Sequence, residues 1–200
     1  MPRKTRDGPA KNAEHPTRRV RYAVAMSLDG FIAGPNGEAD WIIMDSSGDA
    51  AAEFEAMYSQ FDTIVMGRRS FEVVKRAGGG GSTPDMQVFV CSRTLRQEDH
   101  RGVTIVDDPK GLMAELRSQP GKDIWLGGGG SLFRSFAELG LVDTVEVGVI
   151  PVLLGKGVPL LPAPTKRVTL KLTGHKVHAK TGTVGLEYAV EYGRGSRRRK

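Results

Sequence analysis

The chain is poor in the residues that build covalent or metal frameworks. It has one cysteine, Cys91, and four histidines in 200 residues, which excludes an internal disulfide and a cysteine-rich zinc site and agrees with a reducing compartment. His175 and His178 stand three apart in a strand-like segment, so their rings leave on opposite faces and no metal site is expected. No apolar run approaches the roughly 18 residues of a membrane span, and the first residues lack the apolar segment of a secretory signal. A cytoplasmic protein that does not meet a membrane is expected. Internal repeats are missing, and so is a P-loop, because Gly155-Lys156-Gly157 has neither the hydroxyl residue nor the following helix. A G-x-G-x-x-G dinucleotide fingerprint is missing too: Leu132 stands where glycine or alanine is needed, and no acidic residue is well placed for a ribose.

Acidic residues are scarce only at the ends. Residues 193–200 hold five Lys/Arg and no acid, and residues 1–19 hold six Lys/Arg against two Asp/Glu. The net charge of +6 therefore belongs to the ends, which carry +9 and leave the other 173 residues at −3. Both ends lack hydrophobic periodicity, so disordered basic tails are expected at 1–19 and 193–200, with at most weak electrostatic contact with nucleic acid. Between them, 20–192 has the length and composition of one globular domain, the whole chain being 39% hydrophobic and 26% charged.

What is present is an alternation of strand and helix patterns. Strands are expected at Val20–Met26, Thr63–Met66, Gln87–Cys91, Val103–Val106, Asp123–Leu126, Thr144–Ile150, Val168–Val177 and Thr183–Glu191. Helical spacing covers Asp49–Gln60, Arg68–Arg76, Pro109–Arg117 and Gly129–Leu139. The alternation calls for an α/β fold with an eight-stranded, mostly parallel sheet and helices packed on it. After Leu141 only strands follow, and the pair around Thr181-Gly182 reads as an antiparallel hairpin. Gly78–Gly81, with Ser82 and Pro84, reads as a flexible loop.

The chemistry-bearing residues follow strand ends, where open α/β sheets bind ligands. Ile124-Trp125-Leu126 runs into Gly127-Gly128-Gly129-Gly130-Ser131-Leu132, a glycine turn opening a helix, which suits a phosphate approached by backbone N–H groups. Gly67-Arg68-Arg69-Ser70 puts two guanidinium groups and a hydroxyl at another helix start. Ser92-Arg93 follows a third strand. A dinucleotide carrying an additional ribose phosphate would occupy all three. Asp29, before Gly30, reads both as a turn residue and as a group that orients substrate or a proton-carrying water. Trp41 reads both as an aromatic wall of a substrate mouth and as core, while Met57, Tyr58 and Phe61 read as core.

The order S-L-D-G-F-I-A-G, V-M-G-R-R-S-F-E, V-x-C-S-R, L-G-G-G-G-S-L-F and V-D-x-V-x-V-G-V-I-P-V-L-L-G-K-G-V-P-L-L over about residues 20–191 resembles the reductase half of the bifunctional riboflavin-biosynthesis enzymes and their stand-alone relatives with the dihydrofolate reductase fold. The resemblance implies a dihydrofolate reductase-like domain with helices on both faces, a homodimer, and NADPH lying across the strand ends. It implies that Gly67, Arg68, Arg69 and Ser70 hold cofactor phosphates, that Ser92 and Arg93 hold the ribose 2′-phosphate, and that Gly128, Gly129, Gly130, Ser131 and Leu132 cover the pyrophosphate. Gly128-Gly129 matches a pair joined by a cis peptide in dihydrofolate reductases, and Ala25, Ile32 and Ala33 match positions beside the nicotinamide. Phe31 and Gly127 stand where the riboflavin reductases carry a lysine and a glutamate turned toward the substrate phosphate; Phe31, like Trp41, is expected at the substrate, but an apolar ring cannot hold a phosphate. Dihydrofolate reductases carry a carboxylate at the start of the first helix; a gap-free count puts Ala51 there, with Asp49 and Glu53 on either side. The expected activity is NADPH-dependent reduction of a pteridine-like or aminopyrimidine substrate, with Asp29, Asp49 or Glu53 as the catalytic carboxylate. The alternative is an NADPH-binding protein with little reductase activity.

Overall fold

Short β-branched runs make the strands, and the helices between them carry the chain back so that each new strand starts at the same edge. The structure, a computed structural model, describes residues 17–43, 48–78 and 85–193, with residues 48–51 described by their backbone alone. In chain order the elements are β1 (Val20–Ser27), β2 (Phe31–Ala33), α1 (Gly48–Tyr58), β3 (Phe61–Gly67), α2 (Arg68–Arg76), β4 (Gln87–Cys91), β5 (Thr104–Val106), α3 (Pro109–Ser118), β6 (Asp123–Leu126), α4 (Gly130–Glu138), β7 (Thr144–Ile150), β8 (Val158–Pro159), β9 (Thr169–His178) and β10 (Thr183–Glu191). Eight strands form one sheet in the order β5-β4-β3-β6-β1-β7-β10-β9. β5, β4, β3, β6, β1 and β7 run parallel, and β10 runs antiparallel to both of its neighbours. The eight expected strands and four expected helices are all present. The sequence reading passed over β2 and β8, which pair with each other as a small separate sheet. The two residues of β8 are too few for a period, and β2 lies inside the loop motif that follows β1.

The strand pleat sorts the side chains onto two faces. Tyr22, Val65, Ile124, Leu126, Val145 and Val147 turn to one face, where Leu112, Met113 and Leu116 of α3 and Phe133, Phe136 and Ala137 of α4 close over them. On the other face, α2 buries Phe71 against Ile64, Met66, Val88 and Val90, with Met57 and Tyr58 of α1 and Trp125 packed alongside. Helices thus lie on both faces. The second face is not covered along its whole length. Over β1, β7 and β10 it presents Ala23, Ala25, Gly148 and Gly185, with Arg21 and Glu146 beyond them.

Arg21 is buried in that polar region. Its guanidinium donates to both oxygens of Glu146 at 2.7 Å and to Gln60 Oε1 at 2.6 Å, stands 3.4 Å from Asp123, and lies over the Phe61 ring. A charge so removed from water persists only with such a set of partners.

The expected N-terminal tail is corrected at its inner boundary. Arg18 is buried; it donates to Lys122 O and Thr63 Oγ1 at 2.7 Å each and pairs with Asp62. Arg19 pairs with Asp123. Composition alone reads two arginines after a polar run as solvated, but carboxylates more than 40 residues away in sequence receive them. The rest of the tails, residues 1–16 and 194–200, lies outside the described residues, as does most of the glycine loop, at 79–84. No helix among the described residues is long and apolar enough to cross a membrane.

Replacing Glu146 with alanine should destabilise the fold by about 2 kcal/mol, because Arg21 then keeps only Gln60 and Asp123 as partners. Urea denaturation of the two proteins measures the difference.

Candidate functional site

Parallel pairing brings the carboxyl ends of β3, β6 and β4 to one edge of the sheet. β3 ends at Gly67 and leads directly into α2, and β6 ends at Leu126 and reaches α4 through three glycines. The two turns are joined: Gly67 N–H donates to Gly128 O at 3.1 Å, and Gly127 N–H donates to Val65 O at 2.8 Å. Gly128-Gly129 is a cis peptide, as the resemblance implies. Gly128 has φ of +96°, a conformation that disfavours any side chain. Neither helix carries a side-chain cap: the N-cap residues are Gly67 and Gly129. Two helix starts with uncapped first turns therefore stand side by side, and both macrodipoles present positive ends to the same edge. Ser70 belongs to this junction, since a Cβ on Gly129 would lie 3.5 Å from its hydroxyl oxygen.

At the end of β4, the Ser92 hydroxyl oxygen accepts from Thr94 N–H at 3.1 Å and Leu95 N–H at 3.0 Å and lies 3.4 Å from the Thr94 hydroxyl, which fixes the turn. Arg93 beside it is exposed, and like Arg69 it has no carboxylate partner among the described residues; Arg68 has Glu72 at 3.8 Å. The edge thus gathers Gly67–Ser70, Ser92-Arg93 and Gly128–Leu132, the groups that the sequence reading set there.

Asp29 has a different occupation. Its carboxylate accepts from Gly155 N–H at 2.7 Å, Leu154 N–H at 3.1 Å and the Ser27 hydroxyl at 2.6 Å, and Ser27 Oγ in turn accepts from Phe31 N–H. It staples the turn after β1 to the loop after β7. The Ser27 hydroxyl, followed by the Gly155 and Leu154 amides, holds its carboxyl below the usual carboxylate range. Phe31, Ile32 and Ala33 lie in β2, which pairs with β8 beyond this staple.

Next to the edge, on the partly covered face, an open cavity of about 1890 Å³ runs between α1 and β1, β7, β10 and β9. Ala25 and Glu53 line it. Trp41 and Phe31, the expected substrate residues, do not; Ile42, Ile43, Phe54 and Trp125 do. Trp41 instead donates its indole N–H to Glu38 O at 3.1 Å. Glu53 is paired, with Lys176 Nζ at 2.5 Å and His178 Nδ1 at 3.7 Å, and Lys176 holds its carboxyl below the usual range. The Asp49 side chain lies outside the described residues. The sequence reading weighed His178 only beside His175 and passed over Lys176, because an i, i+2 spacing on an edge strand is also that of a solvated face. Among the described residues no group of His, Cys, Asp and Glu could hold a metal ion, and Cys91 is mostly buried, which pushes its thiol up to about 11.

A mostly parallel sheet of this order, with a joined pair of helix starts and an antiparallel final hairpin, is a dihydrofolate reductase-like fold. Residues 18–183 match the RibD C-terminal domain family, and the chain belongs to that family. The uncharacterised protein YyaP of Bacillus subtilis is 36% identical over 182 residues, which cover 86% of this chain and 94% of YyaP. Among solved structures, a candidate riboflavin biosynthesis protein of Shewanella sp. PV-4 superposes with a TM-score of 0.73 at 24% identity, covering 88% of this chain and all of that one. Dihydrofolate reductase of Enterococcus faecalis, complexed with NADP(H), superposes with a TM-score of 0.63 at 15% identity over 87% of this chain and 97% of that one. Family and fold together support an oxidoreductase.

Because the Asp29 carboxyl is depressed, its contribution is complete above the unfolded value, roughly 3.9, and is lost as pH falls through the lower folded value. Asp29→Ala at neutral pH should therefore speed hydrogen exchange at the Leu154 and Gly155 amides, and wild-type protein should show the same loosening only in acid.

Proposed function

We propose that the protein is an NADPH-dependent reductase that delivers hydride to a C=N or C=O bond in a small heterocycle of the pteridine or aminopyrimidine type. The observation that carries this reading is the junction of two uncapped helix starts, tied by the Gly67–Gly128 hydrogen bond. Such a junction offers backbone N–H groups and two positive dipole ends to a diphosphate. The glycines suit a phosphate at close range, and Arg68, Arg69 and Ser70 add charge and a hydroxyl. Arg93 and Ser92, one strand further along the sheet, would hold the ribose 2′-phosphate. Ala25, Ile32 and Ala33 would flank the nicotinamide, which supplies the hydride when bound.

The chain's own task is to align the two rings and exclude water between them. Asp29 serves as a positioning residue for the two loops at the cleft mouth. Asp29 and Glu53 are both tied to protein partners that hold their carboxyls below the usual carboxylate range, so neither is the acid near neutral pH. A second copy of the chain is the expected partner: β9 exposes Leu170, Leu172 and Val177 at the end of the sheet. A second reading, an NADPH-binding protein with slow turnover, is favoured by the commitment of the Asp29 and Glu53 carboxylates to protein partners.

The test is loss of NADPH absorbance with dihydrofolate or the phosphoribosylaminopyrimidine as substrate, beside a binding titration of NADPH. Turnover of either substrate supports the reductase, binding without turnover supports the second reading, and no binding ends both. Arg93→Ala should weaken NADPH by about tenfold or more, a charge-assisted pair being worth roughly 1.5–3 kcal/mol, and should leave NADH nearly unchanged. Equal losses for both nucleotides would remove Arg93 from the ribose phosphate.

A further inference from the structure

The cavity beside α1 has a charged far end and a bare floor. The sheet register aligns Ala25 of β1, Gly148 of β7, Gly185 of β10 and Lys176 of β9 in one row on the cavity face. Across three strand spacings that row spans roughly 14 Å. Between its ends the row itself raises no side chain, because both middle positions are glycine; the His178 imidazole leans in from the side, its Nε2 3.9 Å from where a Cβ on Gly185 would lie. Backbone geometry does not require them to be: neither has a positive φ, and a Cβ would find its nearest neighbour at 3.8 Å on Gly148 and 3.6 Å on Gly185, ordinary contacts. Glycine inside a strand weakens it, and often marks a place that something else approaches closely.

At the far end of the row, Lys176 and His178 stand on the same face of β9 and reach toward Glu53 of α1. Side-chain exposures of 57% for Lys176, 45% for Glu53 and 35% for His178 leave all three open to a ligand. Thr181 and Thr183, joined at 2.9 Å, line the cavity beside them and add hydroxyls. The whole cavity, at about 1890 Å³, exceeds the roughly 300–1,000 Å³ that encloses a compact ligand.

We infer that Lys176 and His178 form a subsite for the anionic tail, a phosphate or a carboxylate, of an elongated substrate whose planar ring lies over Gly148 and Gly185. Glu53 is the counter-ion that holds Lys176 until that tail arrives. This rests on the reading that the Ala25 end of the cleft is the reducing end. It adds a distance to that reading: the negative charge stands on the order of 10 Å from the bond that is reduced, about the row length less the reach of a lysine side chain.

The test uses full-length protein saturated with NADPH, whose own affinity is measured first. Two matched pairs are titrated: dihydrofolate against dihydropterin without the glutamate tail, and the ribosylaminopyrimidine with and without its 5′-phosphate. In at least one pair the tailed member should bind about tenfold more tightly, the worth of one charge-assisted contact. Lys176→Met should erase that preference and Lys176→Arg should keep most of it. Glu53→Gln should widen it by freeing Lys176. Gly148→Ala and Gly185→Ala should weaken both members of the pair while leaving NADPH affinity and the unfolding midpoint at or above wild type. The inference is overturned if tailed and tailless ligands bind alike or not at all, if Lys176→Met weakens both equally, or if Glu53→Gln lowers the preference. Failure to bind NADPH would instead count against the reductase reading, so the two failures are told apart.

Discussion

The hydrogen bond from Gly67 N–H to Gly128 O holds the candidate site together. Parallel pairing of β3 with β6, Val65 opposite Leu126, already brings the ends of the two strands close together. The bond then fixes the two turns that follow, so the starts of α2 and α4 cannot drift apart. Each turn alone is a common strand-to-helix connection. Joined, they concentrate the partial positive charge of two helices on one spot, and that electrostatic fact makes an anionic ligand the natural guest.

A second constraint follows from the sheet being closed on one face and partly open on the other. The closed face is apolar through its centre, and α3 and α4 seal it. The open face cannot be apolar over β1 and β7 without exposing a hydrophobic patch, and it uses small residues and a buried ionic cluster instead. Arg21, Glu146, Gln60 and Asp123 satisfy one another, so the cluster is tolerated, although a group of this kind gives geometry more than net stability. The ground left between that cluster and α1 is the cavity.

The loops after β1 and β7 show how a carboxylate can be taken up as a tie. Asp29 sits after a strand in a motif that invites a chemical role, yet its two oxygens accept from two backbone amides more than 100 residues away in sequence and from a neighbouring hydroxyl. It sets the position of β2 and of the loop that follows β7. Glu53 likewise spends its charge on Lys176 across the cavity. The edge of the site that would meet a cofactor is rich in donors, while the described carboxylates act as ties.

The eight sheet strands, the four helices, the final hairpin and the donor-rich turns at Gly67, Ser92 and Gly128 were all readable from the sequence, because each is written in local periodicity or in glycine placement, and the family order of motifs set them on one fold. The limits of the reading are equally physical. Arg18 looked like part of a solvated tail because its partner Asp62 lies on β3, and the two-residue strand β8 has no period to detect. Nor does local pattern show which residues line the cavity: Trp125, Lys176 and His178 do, and Phe31 and Trp41 do not. Chain order fixes which residues follow a strand, so the sequence by itself determined the edge where the donor-rich turns gather. Which side chains meet across that cavity depends on pairing between distant strands and on where α1 packs, and only the tertiary structure decided that.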